Sequence, residues 1–372
     1  MSMAPGLVRD SIVNYLAALE SDAASGEIVD AVRLQLGEVS PSSVRSYLNA
    51  NVPDLFERTS RGRYRIRAIK VEKVSHVALG PAVESGRATL YHADCFEWLA
   101  SCAPNSVHAV VTDPPYGVVE YSEKEVTKLR TGKGGVWRIP PSFDGVKRSP
   151  LPRFTVLTEA ERIDLVRYFK RLGLLLGRVV VPGANIVVAS NPLLSHLVAS
   201  AMCDAGLEHR GYIARLTMTM RGGDRPKNAH EEFPDVSVMP RSQWEPWVVL
   251  RKPLDGRVQD NLRKWKTGGF RRLSAEQPFG DVIQSSPTSR AEKMIAPHPS
   301  LKPQRFLRQR VRASLPLAEG VVLDPFAGSG STLAAANAVG YSSIGVESDP
   351  KFVRLAAEAM PKLASFRQID PV

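Results

Sequence analysis

The sequence predicts an α/β protein, a mostly parallel sheet with helices on both faces, preceded by a small N-terminal module. Three observations predict it. From about residue 87 onward, short apolar runs alternate with helical stretches, the order in which helical crossovers join parallel strands. Two of those runs end in unusual corners, Asp113-Pro114-Pro115-Tyr116 and, far along the chain, Asp324-Pro325-Phe326-Ala327-Gly328-Ser329-Gly330-Ser331-Thr332. Residues 1–70 have a different pattern, and Gly80, Pro81 and Gly86 mark 71–86 as a linker to a large domain over 87–372.

In the N-terminal module, Ile12, Tyr15, Leu16 and Leu19 fall at helical spacing within Leu7–Leu19. Ile28, Val29, Val32 and Leu36 form a comparable stripe in Glu27–Leu36. Ser40 is placed to cap a third helix over about 41–50, with Pro41 at its first position. Leu55–Thr59 and Arg63–Arg67 read as a hairpin turning at Arg61-Gly62. Three helices and a hairpin resemble a winged helix-turn-helix. Arg63, Arg65 and Arg67 alternate with Tyr64 and Ile66, so the second strand has one basic and one apolar face. With Arg61 they are candidate contacts to DNA phosphates. A protein–protein module with a solvated arginine edge has the same pattern.

In the large domain, Leu90–His92, Val107–Thr112, Asn185–Ser190, Trp247–Arg251, Val321–Asp324 and Ser343–Glu347 read as strands. Glu159–Leu176, Leu193–Ala205, Pro303–Ser314, Ser331–Val339 and Pro350–Met360 read as helices. Ligands in such folds bind beyond the carboxyl ends of the strands. Asp113 and Phe326 both sit at such ends, so they are expected to share one crevice. Ser122–Arg153 and Arg215–Ala296 are basic, Gly- and Pro-rich insertions.

The first corner offers two acceptors, the Asp113 carboxylate and the Pro114 carbonyl, beside the Tyr116 ring. Two acceptors and a flat ring suit a planar ligand carrying an NH2 group, although Asp and Pro also serve plain turns. The second corner lets the backbone approach a ligand closely at the start of a helix. Glu347 follows Asp324 at about the 20-residue spacing of a ribose-gripping acid. The loop is not G-x-G-x-x-G and no Lys follows it, so a ribose ligand without a pyrophosphate fits it better than a dinucleotide or ATP.

Together these residues resemble the amino-methyltransferases of DNA, in the permuted beta order with the catalytic motif first and the cofactor loop last. The resemblance covers roughly Arg87 to the end of the chain and implies a Rossmann-like methyltransferase sheet using S-adenosylmethionine, without a metal. It assigns catalysis to Asp113, Pro114, Pro115 and Tyr116. It assigns the cofactor to Asp324, Pro325, Phe326, Gly328, Gly330, Thr332 and Glu347. Leu90–Cys95 resembles the family segment that meets the adenine, which adds Asp94 and Cys95. His298–Pro303 resembles the segment at the methionine end, which adds Lys302 and Pro303; Leu301 stands where the family more often has Gln. The family's target-recognition region falls at about 215–296, where Arg221, Arg225, Lys227, Arg263 and Lys264 are candidate DNA contacts. The implied function is methylation of the exocyclic amine of a flipped base. Asp at position 113 favours adenine N6 over cytosine N4. A DNA-binding regulator with an inactive methyltransferase domain is the rival of another class.

Composition agrees. The 372 residues are 43% hydrophobic, and the formal net charge of +11 favours a polyanionic partner such as double-stranded DNA. Three cysteines without metal spacing exclude a disulfide scaffold or zinc site and point to a reducing compartment. The N-terminus has no apolar signal core, and no apolar run reaches membrane-spanning length, so a cytoplasmic setting without a membrane partner is expected. A second copy of the chain and a cognate restriction nuclease are candidate partners.

Overall fold

A computed structural model describes residues 8, 11–12, 15–16, 19, 21–52, 56–66, 81–115, 157, 159–217, 223, 225–226 and 228–367. The chain forms two compact units, 1–76 and 77–372, each described by itself.

The first unit holds β1 (Ala23–Ala24), α1 (Ser25–Leu36), α2 (Pro41–Ala50), β2 (Phe56–Ser60) and β3 (Arg63–Ile66). The strands pair antiparallel in the order β1-β3-β2. The apolar stripes predicted from spacing make its core. Ile28, Val29 and Val32 from α1 meet Val44 and Leu48 from α2, and Phe56 and Tyr64 from the hairpin close over them with Ile12 and Leu16. Gly62, at φ 78°, makes the hairpin turn that a side chain would strain. Arg63 is held to the Asp22 carboxylate at 2.9 Å, and Arg65 to Glu57 at 2.9 Å. Both arginines therefore have carboxylate partners within the unit. Such pairs are solvent-accessible and weak, so a phosphate can compete for them.

The second unit is built on a nine-stranded mixed sheet in the order β10-β8-β9-β7-β6-β11-β12-β5-β4. Its strands are β4 (Val83–Ser85), β5 (Ala88–His92), β6 (Val107–Thr112), β7 (Val180–Ala189), β8 (Glu208–Leu216), β9 (Trp244–Arg251), β10 (Val282–Gln284), β11 (Val321–Asp324) and β12 (Ser342–Glu347). The centre, β7-β6-β11-β12-β5, is parallel. The flanks are not wholly so: β9 runs antiparallel to both β7 and β8, and β4 antiparallel to β5. The sheet is thus parallel at its centre and mixed at its margins, where the sequence predicts a mostly parallel one.

Both faces are covered. Val110, Ile186, Val188 and Val248 face α3 (Cys95–Ser101), α4 (Glu159–Val179) and α5 (Ser195–Asp204). Ala109, Val111, Val187 and Val249 belong to the opposite core with α8 (Gln304–Ser314) and α9 (Ser331–Ala338). Strands buried on both faces must be apolar at nearly every position, which is why these runs stand out in the sequence. The remaining helices are α6 (Val258–Trp265), α7 (Arg290–Ile295) and α10 (Pro350–Ala364).

Several elements escape sequence reasoning. β8 mixes Glu208, His209, Arg210 and Arg215 with few apolar residues, and only its pairing with β9 makes it a strand. Residues 83–85, read as the end of a linker, form β4 on the sheet edge. β7 starts at Val180, earlier than Pro182 and Gly183 suggest. Among the described residues no helix is long and apolar enough to cross a membrane.

Candidate active site

Four neighbouring parallel strands, β6, β11, β12 and β5, end on one edge of the sheet. Each presents an acid there: Asp113, Asp324, Glu347 and Asp94. The register sets the two corners expected to share a crevice next to each other. Val322 and Leu323 of β11 pair with Ala109 and Val110 of β6, so the two corners leave the sheet side by side. Thr112 Oγ1 donates to Asp324 Oδ1 at 2.7 Å and joins them.

Asp324 is buried and also accepts the Phe326 N–H at 3.1 Å and the Thr332 hydroxyl. Burial raises its carboxyl to about 6, against the pull of those three donors, with Asp113 adding repulsion. The folded pKa lies above the unfolded one. Asp324 therefore contributes stability that is complete below about pH 4 and lost as pH rises through about 6. The stability of Asp324→Asn relative to the parent is expected to rise between those pH values and stay level above them. Urea unfolding across that range checks it, and a pH-independent difference would refute the shift.

The glycine corner is fixed by neighbours. Glu347 accepts the Gly328 N–H and the Asp349 N–H, each at 2.8 Å. Gly328 (φ 51°) and Gly330 (φ 73°) are left-handed. A Cβ on Gly328 would lie 3.0 Å from His298 Nε2, and one on Gly330 would lie 2.5 Å from Met360 Cγ. Gly330→Ala is expected to lower stability by about 1–3 kcal/mol through the left-handed penalty and overpacking, and to weaken binding at this corner about tenfold. Thermal unfolding and cofactor calorimetry check both.

Asp94 caps α3 by accepting the Phe96 N–H at 2.9 Å and the Glu97 N–H at 3.1 Å. The Cys95 side chain packs in the core, where burial pushes its thiol up to about 12. Phe326 is half-buried, 6.4 Å from the Tyr168 ring.

A third segment reaches the same edge. The loop before α8 places Lys302 Nζ 2.8 Å from Asp113 Oδ2 and His298 against the glycine corner. Burial lowers the pKa of His298, although Asp113 opposes it. Lys302 Nζ also lies 3.5 Å from Glu245 Oε2 on β9. Burial alone would lower the pKa of Lys302, but Asp113 and Glu245 outweigh it and hold it above the ordinary value. Glu245 is kept low in turn, because Lys302 and Arg215 outweigh the cost of its burial.

Sequence reasoning overlooks Glu245, Arg215 and Arg310. The available signal is a carboxylate in the otherwise apolar run Trp244–Leu250. Asp113, Pro114, Pro115, Asp324, Pro325, Phe326, Gly328, Gly330, Glu347 and Asp94 lie at this edge or in the turns leaving it. Thr332 follows in α9, Lys302 reaches Asp113 from the loop before α8 in which Pro303 also lies, and the Cys95 side chain packs in the core instead. Tyr116, Arg67, Arg221 and Lys227 lie outside the described residues. Arg61 and Arg225 are exposed, and Arg263 and Lys264 on α6 pair with Asp260 and Asp255. Among the described residues no cluster of His, Cys, Asp or Glu could hold a metal ion.

Residues 221–358 match the model of a family described as DNA methylase, of the N6/N4 type. The chain is similar to the Type II methyltransferase M2.LlaDCHI of Lactococcus lactis subsp. cremoris, 24% identical over 290 residues that cover 77% of this chain and 94% of that protein. M2.DpnII of Streptococcus pneumoniae is 22% identical over 284 residues, covering 75% and 92%. Among solved structures, the PvuII cytosine-N4-specific DNA methyltransferase superposes with a TM-score of 0.49 at 16% identity, covering 75% of this chain and 88% of that one.

Proposed function

We infer that this chain, whose residues 221–358 match the N6/N4 DNA methylase family, transfers a methyl group from S-adenosylmethionine to the exocyclic amine of a base swung out of duplex DNA. It is a DNA methyltransferase, and S-adenosylmethionine is its methyl donor. The observation supporting this site for the reaction is the adjacency of Asp113 and the Asp324–Gly330 corner on neighbouring parallel strands.

The residues fit the cofactor. Gly328 and Gly330 let the chain turn tightly at the start of α9 against His298 and Met360, where a side chain would clash, and so keep the backbone close to the ends of β11 and β12. Glu347 and Asp94 offer acceptors to ribose hydroxyls and an adenine amine, and the row of acids favours a cationic sulfonium. Bound there, the cofactor supplies an electrophilic methyl group, so positioning of the acceptor provides much of the acceleration. Asp113 and the Pro114 carbonyl accept the two amino hydrogens of the base and direct its nitrogen lone pair. Tyr116 stacks on the ring, offsetting part of an unstacking cost of a few kcal/mol.

Adenine N6 is the target this reading favours, with cytosine N4 second. Residues 1–70 act as a winged helix-turn-helix-like module, with Arg61, Arg63, Arg65 and Arg67 along the phosphates. The 215–296 region, with Arg221, Arg225, Lys227, Arg263 and Lys264, faces the target. Nucleoside mass spectrometry of unmethylated phage DNA treated with protein and S-adenosylmethionine tests the chemistry. N6-methyladenine is expected, and N4-methylcytosine alone would move the target to cytosine. DNA binding without cofactor binding or any methylated nucleoside would favour an inactive regulator.

A further inference from the structure

The ion pairs behind the crevice form a continuous chain. Trp247 Nε1 donates to Glu245 Oε1 at 2.6 Å, and Arg215 Nη1 donates to Glu245 Oε2 at 3.2 Å. Arg215 also donates to Ser285 Oγ at 3.0 Å and to the Ser286 carbonyl at 3.2 Å, and it lies 4.7 Å from the Phe306 ring centre. Glu245, so fixed, stands 3.5 Å from Lys302 Nζ, which in turn holds Asp113 Oδ2 at 2.8 Å. All four side chains are shielded: Arg215 is 6% exposed, Lys302 11%, Glu245 15% and Asp113 16%.

Arg215 and Glu245 are also cross-strand partners, one pair inside the point where residues 217–243 leave the sheet between β8 and β9. The charge chain therefore joins the neck of the 217–243 segment to the carboxylate at the end of β6. A buried ion network adds little net stability compared with well-packed apolar residues. Its use here is geometric.

We propose that Glu245 is a positioning residue for methyl transfer, fixing the Asp113 carboxylate through Lys302 and anchoring that arrangement through Arg215 to the base of the 217–243 segment. The proposal rests on the reading of Asp113 as acceptor of the amine. Lys302 on Asp113 Oδ2 sets the orientation of the carboxylate that the proposed reading gives to the amine. A carboxylate free to swing would spend less time aligned, and misplacement of about 1 Å can cost about 10²-fold in rate.

Removing the Glu245 charge has a second consequence. Lys302 is faced by Asp113 from β6, by Glu245 from β9, by Arg215 from β8 and by His298 from its own loop. Its raised pKa depends on the two carboxylates. With one gone and Arg215 still present, Lys302 gives up its proton at lower pH and releases Asp113 earlier.

The test uses the full chain, tritiated S-adenosylmethionine and unmethylated phage DNA. Glu245→Gln is expected to lower kcat by roughly 10–100-fold. Its KM for DNA and its calorimetric Kd for S-adenosylmethionine should stay within about threefold of the parent, and the alkaline limb of kcat should move to lower pH. A kcat within twofold of the parent, or a loss confined to KM, overturns the proposal. Should Glu245→Gln lose its cooperative unfolding transition, Glu245→Asp decides, because it keeps the charge and shortens the reach. Lowered kcat with the parent's alkaline limb supports the proposal, and parental kcat overturns it. A parent chain that labels no DNA removes the underlying reading itself, which an active parent with an unaffected Glu245→Gln does not.

Discussion

Replacing Asp113 with alanine is expected to lower turnover by roughly 10²–10⁴-fold while S-adenosylmethionine still binds. The side chain is one of the two acceptors assigned to the target amine, and among the described residues the neighbouring carboxylates are already engaged. Its strand neighbour Asp324 is engaged by Thr112, Thr332 and the Phe326 N–H. Lys302 retains Glu245 as a counter-ion in the variant, so the loss need not propagate into the glycine corner. Asp113→Asn makes a sharper comparison. It keeps the volume, but its amide presents either an N–H or an oxygen to the Lys302 ammonium, and only one orientation is favourable. Tritium transfer into DNA and calorimetry of the cofactor measure the two halves of the claim. Turnover within tenfold of the parent would remove Asp113 from the reaction. Loss of cofactor binding would give it a structural part instead.

The second large effect is on stability. Trp247→Ala is expected to destabilise the second unit by about 3–5 kcal/mol, a fall in unfolding midpoint of roughly 6–15 °C. Trp247 is 1% exposed and sits edge-on to Phe306 at 5.6 Å, with the Arg310 guanidinium 3.6 Å from the centre of each ring. It also donates to Glu245. Truncation removes a large apolar surface, one face of the guanidinium stack and a donor to a buried carboxylate at once. Trp247→Phe restores most of the packing but not the N–H, so it should cost about 1–3 kcal/mol, the desolvation cost of an abandoned acceptor. Thermal and urea unfolding of the two variants separate these contributions. Equal losses would show that the hydrogen bond, not the stack, supports the region.

Much of this architecture is legible in the sequence because the signals are local. The Asp-Pro-Pro corner, the glycine corner and the doubly buried runs of β6, β11 and β12 announce themselves within a few residues. So do α1 and α2, whose apolar stripes make the core of the first unit. The illegible parts depend on partners distant in sequence. Glu245 is a lone acid in an apolar strand until β8 brings Arg215 opposite it and the loop before α8 brings Lys302 alongside. β8 itself carries too few apolar residues to resemble a strand, since only Ile213 and Arg215 in it are buried. Asp94 is legible as an acid at a strand end, yet its hydrogen bonds to Phe96 and Glu97 show it also starts α3.

The sheet order bears on how the molecule is made. β11 and β12, from residues 321–347, lie between β6 and β5, which leave the ribosome more than two hundred residues earlier. Until they emerge, β6 has no neighbour on one side and β5 none beyond β4, leaving apolar edges open to other chains. Closure of the central gap depends on contacts of very long range, so folding should be slow and late in synthesis. On the proposed reading, methyl transfer can begin only when that gap has closed, because the glycine corner leaves β11, one of the two strands that fill it.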